Sequence, residues 1–208
     1  MPNYFEPHEV KTLLAYAPHD RARMLLMLQW RAGLRISEIL SLKVGDIQLR
    51  SARPTLAITR PLPVNDRRYS SIHPAIIEAR LYGETTYARV VPVHPELAEA
   101  LRSWEGDGDG HVLKTPRSTA NRWMRSAVAT ARRRRRLAKY ARPLSSRTLR
   151  NGYIVHMLVH GIPVDTLRQW LGLGPFHRMS RYIELLPDPE AIPDKTGLAP
   201  EVILATIP

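Results

Sequence analysis

Two arginines three residues apart, Arg147 and Arg150, open a stretch that ends in a basic cluster around a tyrosine: His177, Arg178, Arg181 and Tyr182. A guanidinium grips anionic oxygens in a fixed fork, and a phenol is a nucleophile. That pairing suits transfer of a phosphoryl group from a nucleic-acid backbone to Tyr182. Between the arginines and the tyrosine lie two helical apolar patterns, one ending in Gly161 and one running from Val164 to Leu171 and closed by Gly172. A second constellation stands far upstream, in the segment AGLRISEILSL from Ala32 to Leu42. Gly33 ends one helix there, and Ser37 or its neighbours open the next. Arg35 therefore falls at a helix junction with its guanidinium toward a cleft, and Glu38, one turn later, orients it by a bidentate pair. Taken alone, the same residues read equally well as a surface i, i+3 ion pair.

These groups must be held by a folded chain, and the elements are legible. A helix is expected from Pro7 (Val10, Leu13, Leu14), then a second from Arg21 to Trp30, capped by His19 or Asp20. Residues 50–93 turn to strand chemistry, with expected strands at Thr55–Thr59, Ile76–Leu81 and Ala88–Val93. Arg60, Arg67, Arg68, Arg80 and Arg89 on this sheet either follow a phosphate backbone or form a solvated edge. Helices are then expected from Pro95 through Trp104 and from a Ser118 cap through Trp123, Met124, Val128 and Ala131. The tract from Glu105 to Gly110 lacks the ligand spacing of a calcium loop and reads as a turn. After Tyr182 the chain changes character: residues 186–194 carry several prolines and acids, and Pro200–Ile207 is a short apolar tail that folds back or docks on a neighbouring subunit. The predicted organisation is one unit over 1–185 followed by a linker and tail over 186–208.

Composition narrows the class. The 208 residues have a net charge of +12, carried by 26 arginines and only 5 lysines, which points to a polyanionic partner. The run Arg132–Arg136 is the densest positive stretch; five consecutive arginines on a helix cannot share one phosphate track, so part of it is solvated. No run of eighteen apolar residues and no signal-like start occurs, so the reading is a cytoplasmic, DNA-associated protein with no membrane partner. There is no cysteine, hence no disulfide or thiolate metal site. His156 and His160 are four apart on a helix without a nearby third ligand, and no metal or other cofactor is expected.

Arg35 within AGLRISEILSL, and Arg150 within TLRNGYIVHMLVHGIPVDTLRQWLG, resemble the two arginine boxes of the tyrosine recombinases, the phage-integrase family. ARVVPV followed by HPELAEAL resembles that family's third strand and the helix after it, and Tyr182 lies nine residues after Leu173, where the family's nucleophile is expected. The likeness covers roughly residues 5 to 185. It implies an α+β catalytic fold, mainly helical with a small antiparallel three-stranded sheet. It also implies Arg35, Arg150 and Tyr182 as catalytic residues, with Arg147 in a position the family usually fills with histidine. Other family positions differ too: Asn151 replaces a usual histidine, Leu173 stands where histidine or tryptophan is common, and no lysine occurs from Leu49 to Ala100. His177 is a stand-in proton donor or a DNA-backbone contact, and Arg80 is the nearest basic substitute for the lysine. Backbone contacts are expected from Arg60, Arg89 and Arg122, from Arg132 and Arg133, and from Arg178 and Arg181.

The resemblance thus implies site-specific recombination of double-stranded DNA through a 3′-phosphotyrosyl intermediate, by an integrase, invertase or resolvase of a mobile element. The substituted histidines and lysine leave open a degenerate relative that binds DNA as a regulator or accessory factor. About twenty residues precede the first catalytic-domain helix, so the short form without the N-terminal clamp domain is expected. Such a form would depend on a homo-oligomer on DNA, a tetramer at the fullest, or on an accessory DNA-binding partner.

Overall fold

Phe5 anchors the start of the chain: it is fully buried, and from it the backbone turns into α1 (Pro7–Ala15), with Pro7 in the first turn and the Glu9 carboxylate accepting from the Glu6 N–H. The structure, a computed structural model, describes residues 3–61, 86–134, 136–137, 144–173, 179–186 and 199–208. His19 caps α2 (Asp20–Arg31) by accepting from the Ala22 N–H at 3.2 Å. From Met24 to Arg31 every residue of α2 is buried, which makes it the central rod. It packs against α1 and α3 (Ile36–Ser41), and against three later helices: α4 (Pro95–Arg102), α5 (Arg117–Arg133) and α6 (Ser146–Val159). α4 stops at Arg102, short of Trp104. α5 begins at Arg117 with Pro116 at the cap position, two residues before the expected cap Ser118.

A 3-10 turn (Val44–Asp46) leads into the sheet, whose order is β1 (Ile47–Gln48), β2 (Thr55–Pro61), β3 (Thr86–Pro92), all antiparallel. The mainly helical fold with a small three-stranded sheet is as expected, but the membership differs. The third strand is the two-residue β1, too short to leave a periodic signal, while Ile76–Leu81 lies outside the described residues. Register pairs Leu56 with Val91 and Ile58 with Arg89, and all four are buried on the inner face; Val90 points outward, 60% exposed. α7 (Val164–Leu171) packs on β3 and ends at Gly172, as its pattern indicated. The short α8 (Ser180–Ile183) lies against α6.

The tail folds back. α9 (Pro200–Ala205) buries Ile203 and Leu204, and Ile207 follows them into the same core. The Arg31 guanidinium donates to the Pro208 carbonyl at 2.8 Å, and His94 contacts the Ile207 carbonyl at 2.7 Å. His156 and His160 belong to this packing too: His156 stacks on Trp30, and the two imidazoles meet edge to face 4.4 Å apart.

Gly152 shows how tightly the N-terminal segment is seated on α6. A Cβ there would stand 2.6 Å from the Phe5 carbonyl oxygen and 3.2 Å from both the Phe5 nitrogen and the Trp30 ring. In an open helix Gly→Ala stabilises by about 0.5–1 kcal/mol. Here backbone must yield, so Gly152→Ala is expected to lower the unfolding free energy by about 1–3 kcal/mol in urea titration.

Candidate active site

One carboxylate organises the arginines. Glu38 sits in the first turn of α3, where its Oε2 accepts from the Arg35 N–H at 2.8 Å and its Oε1 from Arg35 Nη1 at 3.1 Å. Arg89 on β3 reaches the same carboxylate as a fork, Nη1 to Oε1 and Nη2 to Oε2, both at 3.0 Å, and spends its Nε on the Trp170 carbonyl at 2.8 Å. Arg150 on α6 stands 3.8 Å from Glu38 Oε2. It also donates to the Leu171 carbonyl at 2.8 Å and to the Gly33 carbonyl, bridging the end of α7 to the loop before α3. Gly33 makes that loop possible. Its φ of +61° suits glycine, and a Cβ would fall 2.5 Å from the Tyr153 ring.

Three guanidiniums against one carboxylate leave the cluster two charges positive, with direct consequences for its protonation. Burial alone would push Glu38 up, but the charge and hydrogen bonds of Arg89, with Arg150 and Arg35 behind them, override it and hold the carboxyl at about 2. Arg150 moves the other way. Burial and the nearby Arg35 bring it down to about 9, against the pull of Glu38. Such an over-positive, pre-oriented pair is suited to receiving an oxyanion.

Tyr182 lies on α8 with 3% of its surface exposed. Its hydroxyl donates to Asn151 Oδ1 at 3.1 Å and accepts from Arg181 Nη2 at 3.0 Å, and the Arg181 guanidinium lies 4.8 Å from the ring centre. A cleft of about 1020 Å³ joins Arg35, Arg147, Arg150, Arg181 and Tyr182. Arg147, in the first turn of α6, is exposed at its mouth.

Of the other expected site residues, Arg122, Arg132 and Arg133 are exposed on α5 and do not line the cleft. Arg60 contributes its backbone to β2, while its side chain, Arg80, His177 and Arg178 lie outside the described residues. Arg89 is a correction. Expected as a backbone contact, it is 4% exposed, its guanidinium taken up by the Glu38 carboxylate and the Trp170 carbonyl. Glu38 meets Arg35 through one guanidinium nitrogen and the backbone N–H rather than as the expected bidentate pair; that fork goes to Arg89, and Arg150 stands close by. Among the cleft residues that escaped sequence reasoning are Arg117, at the start of α5, and Asn151, which had read only as a replaced histidine.

Under this cluster the Tyr153 hydroxyl is buried with no hydrogen-bond partner among the described residues, and burial pushes the phenol up. An orphaned hydroxyl costs desolvation without return, so Tyr153→Phe is expected to raise the unfolding free energy by about 1 kcal/mol in the same titration.

Comparison with known proteins gives the family and the fold. The family described as the phage integrase family matches residues 3–187. A resolvase of Escherichia coli is 28% identical, aligned over 83% of this chain and 69% of its own length. The tyrosine recombinase XerA of Thermococcus kodakarensis is 25% identical over 83% of this chain and 54% of its own. Among solved structures, the catalytic domain of bacteriophage HP1 integrase superposes with a TM-score of 0.59 at 15% identity, covering 90% of both chains. The XerA recombinase crystal structure gives 0.56 at 20% identity, over 83% of this chain and 56% of the other. The chain thus spans little more than half the length of several relatives, and 90% of the catalytic domain of one. It belongs to the phage integrase family, with the fold of a tyrosine recombinase catalytic domain.

Proposed function

We propose that this chain is a site-specific DNA recombinase that cuts and rejoins strands through Tyr182. The observation that carries the reading is the convergence, in one cleft, of a phenol from α8 with Arg35 and Arg150 from distant parts of the chain. Arg35 and Arg150, with Arg147 at the cleft mouth, hold the non-bridging oxygens of one phosphate and stabilise the charge of the pentacoordinate transition state. The Tyr182 oxygen forms a bond to phosphorus as the bond to the 5′-oxygen breaks. The phenol proton leaves, and the departing 5′-oxygen takes up another. The phosphotyrosyl bond conserves the energy of the cleaved one, so attack by a second 5′-hydroxyl reverses the step on a new strand. With no lysine between Leu49 and Ala100, the proton for the 5′-oxygen must come from elsewhere, His177 or Arg80 being the nearest groups by sequence.

DNA as partner is supported by the net charge and by structural neighbours such as XerH bound to its difH substrate and the Tn1549 transposon integrase with circular intermediate DNA. Among the described residues no helix is long and apolar enough to cross a membrane. Assembly as a homo-oligomer on DNA belongs to the same reading. A second reading, a DNA-binding protein without cleavage, is favoured by the substituted histidine and lysine positions. The test uses nicked suicide duplexes carrying candidate sites from the gene's flanks. An adduct that survives denaturation, its DNA-linked peptide containing Tyr182, is the expected result. Specific binding with no adduct would decide for the second reading.

A further inference from the structure

The departure at Asn151 gives the nucleophile a neighbour of definite chemistry. Asn151 is 6% exposed and makes two hydrogen bonds: its Nδ2 donates to the Asn3 backbone carbonyl at 2.8 Å, and its Oδ1 accepts from the Tyr182 hydroxyl at 3.1 Å. These bonds determine one another. A peptide carbonyl only accepts, so the amide NH2 has to face Asn3, which leaves the amide oxygen toward the phenol. The Tyr182 hydroxyl must then be the hydrogen-bond donor of that contact. Asn3 cannot easily turn away, because the same segment is wedged on α6 where Gly152 meets the Phe5 backbone.

An amide oxygen accepts a hydrogen bond but does not take the proton. We infer that Asn151 is the positioning residue of the nucleophile: it aims the Tyr182 hydroxyl from α6, in an orientation set by Asn3, and leaves the proton on the phenol. This rests on the reading of Tyr182 as the attacking group and adds to it that no base faces the phenol from the Asn151 side. Charged groups around the hydroxyl are mostly cationic. Arg181 donates to it from α8, and Arg35, Arg117, Arg147 and Arg150 line the cleft from other elements, with Glu184 the one carboxylate among the described lining residues. Removal of the phenol proton then falls to a group other than Asn151, so the amide adds no titration of its own to the pH profile of cleavage.

The test measures single-turnover adduct formation from pH 6 to 9 on a suicide duplex, comparing wild type with Asn151→Ala and Asn151→His and taking melting curves for each. Alanine removes the aim but adds no base: the rate is expected to fall roughly tenfold with the wild-type pH slope kept. Histidine puts a proton acceptor at the same place. The rate at pH 7 is expected to rise roughly tenfold, with a new step near the ordinary imidazole value of about 6.5. Asn151→Ser takes the place of alanine if that variant does not fold. If alanine stays within about twofold of wild type and histidine leaves the pH profile unchanged, while the adduct still maps to Tyr182, the inference is overturned and the nucleophile reading stands. If wild type binds its site and yields no adduct at any pH, the nucleophile reading fails and this inference falls with it.

Discussion

Tyr182→Phe is expected to abolish the covalent adduct, by a factor of more than about 1,000, while DNA affinity stays within about threefold of wild type. The first part follows from chemistry: phenylalanine fills the space of the ring and has no atom that can attack phosphorus. The second follows from geometry, since duplex affinity comes from cationic contacts spread over many phosphates and the phenol carries no charge. The substitution is not innocent for the fold. Tyr182 donates a hydrogen bond to Asn151, which is buried, so phenylalanine orphans an acceptor at a cost of about 1–3 kcal/mol. Arg181 is exposed and turns to water instead. Adducts read on denaturing gels should therefore be scored well below the melting temperature, beside binding by fluorescence anisotropy over a salt series. An equal salt slope for both proteins with adduct only in wild type is the outcome the reading requires. An adduct retained by the phenylalanine variant would move the nucleophile to another residue.

Much of this site was legible in the sequence because its parts are local. Helix periods, the His19 cap and the glycine at 33 place Arg35 at the end of an element, where side chains turn toward clefts, and Arg150 lies little more than a turn inside the start of its own helical pattern. Arg89 was misread for a definable reason. Charge suggested the surface, but the two-residue period of β3 puts Arg89 on the same face as buried Val91, with Ala88 and Val90 outside. An arginine on a core face demands a buried carboxylate, and that partner, Glu38, is 51 positions away, a distance no spacing rule spans. The same limit hid Asn151, whose meaning comes from a tyrosine 31 residues on and a carbonyl near the start of the chain. The tail posed a different problem. Its apolar residues fitted either a folded-back or an exchanged helix, and contacts to Arg31 and His94 show the former in this structure.

Glu38→Gln carries the largest expected effect on stability, about 3–5 kcal/mol at pH 7. The carboxylate is 3% exposed and answers Arg89 in full, Arg35 in part and Arg150 at longer range. An amide keeps one acceptor but turns an NH2 toward guanidinium donors, leaving buried positive charge uncompensated. Acid should reproduce the loss in wild type. The folded-state value of about 2 lies below the ordinary 4.5, so the stabilisation is complete above about pH 4.5 and drains away as pH falls toward 2. Urea titrations at pH 7, 5, 4 and 3 should therefore converge for wild type and Glu38→Gln as pH drops. A constant gap would show that Glu38 contributes by shape alone. Stability and positioning separate in the double variant Glu38→Gln, Arg89→Met, because removing both buried charges restores much of the fold. Arg35 and Arg150 would remain without their shared anchor, so adduct formation should stay down roughly a hundredfold even in a protein that melts near wild type. Recovery of both together would mean that Arg150 is aimed by the backbone carbonyls of Gly33 and Leu171 and that Glu38 serves only to neutralise Arg89.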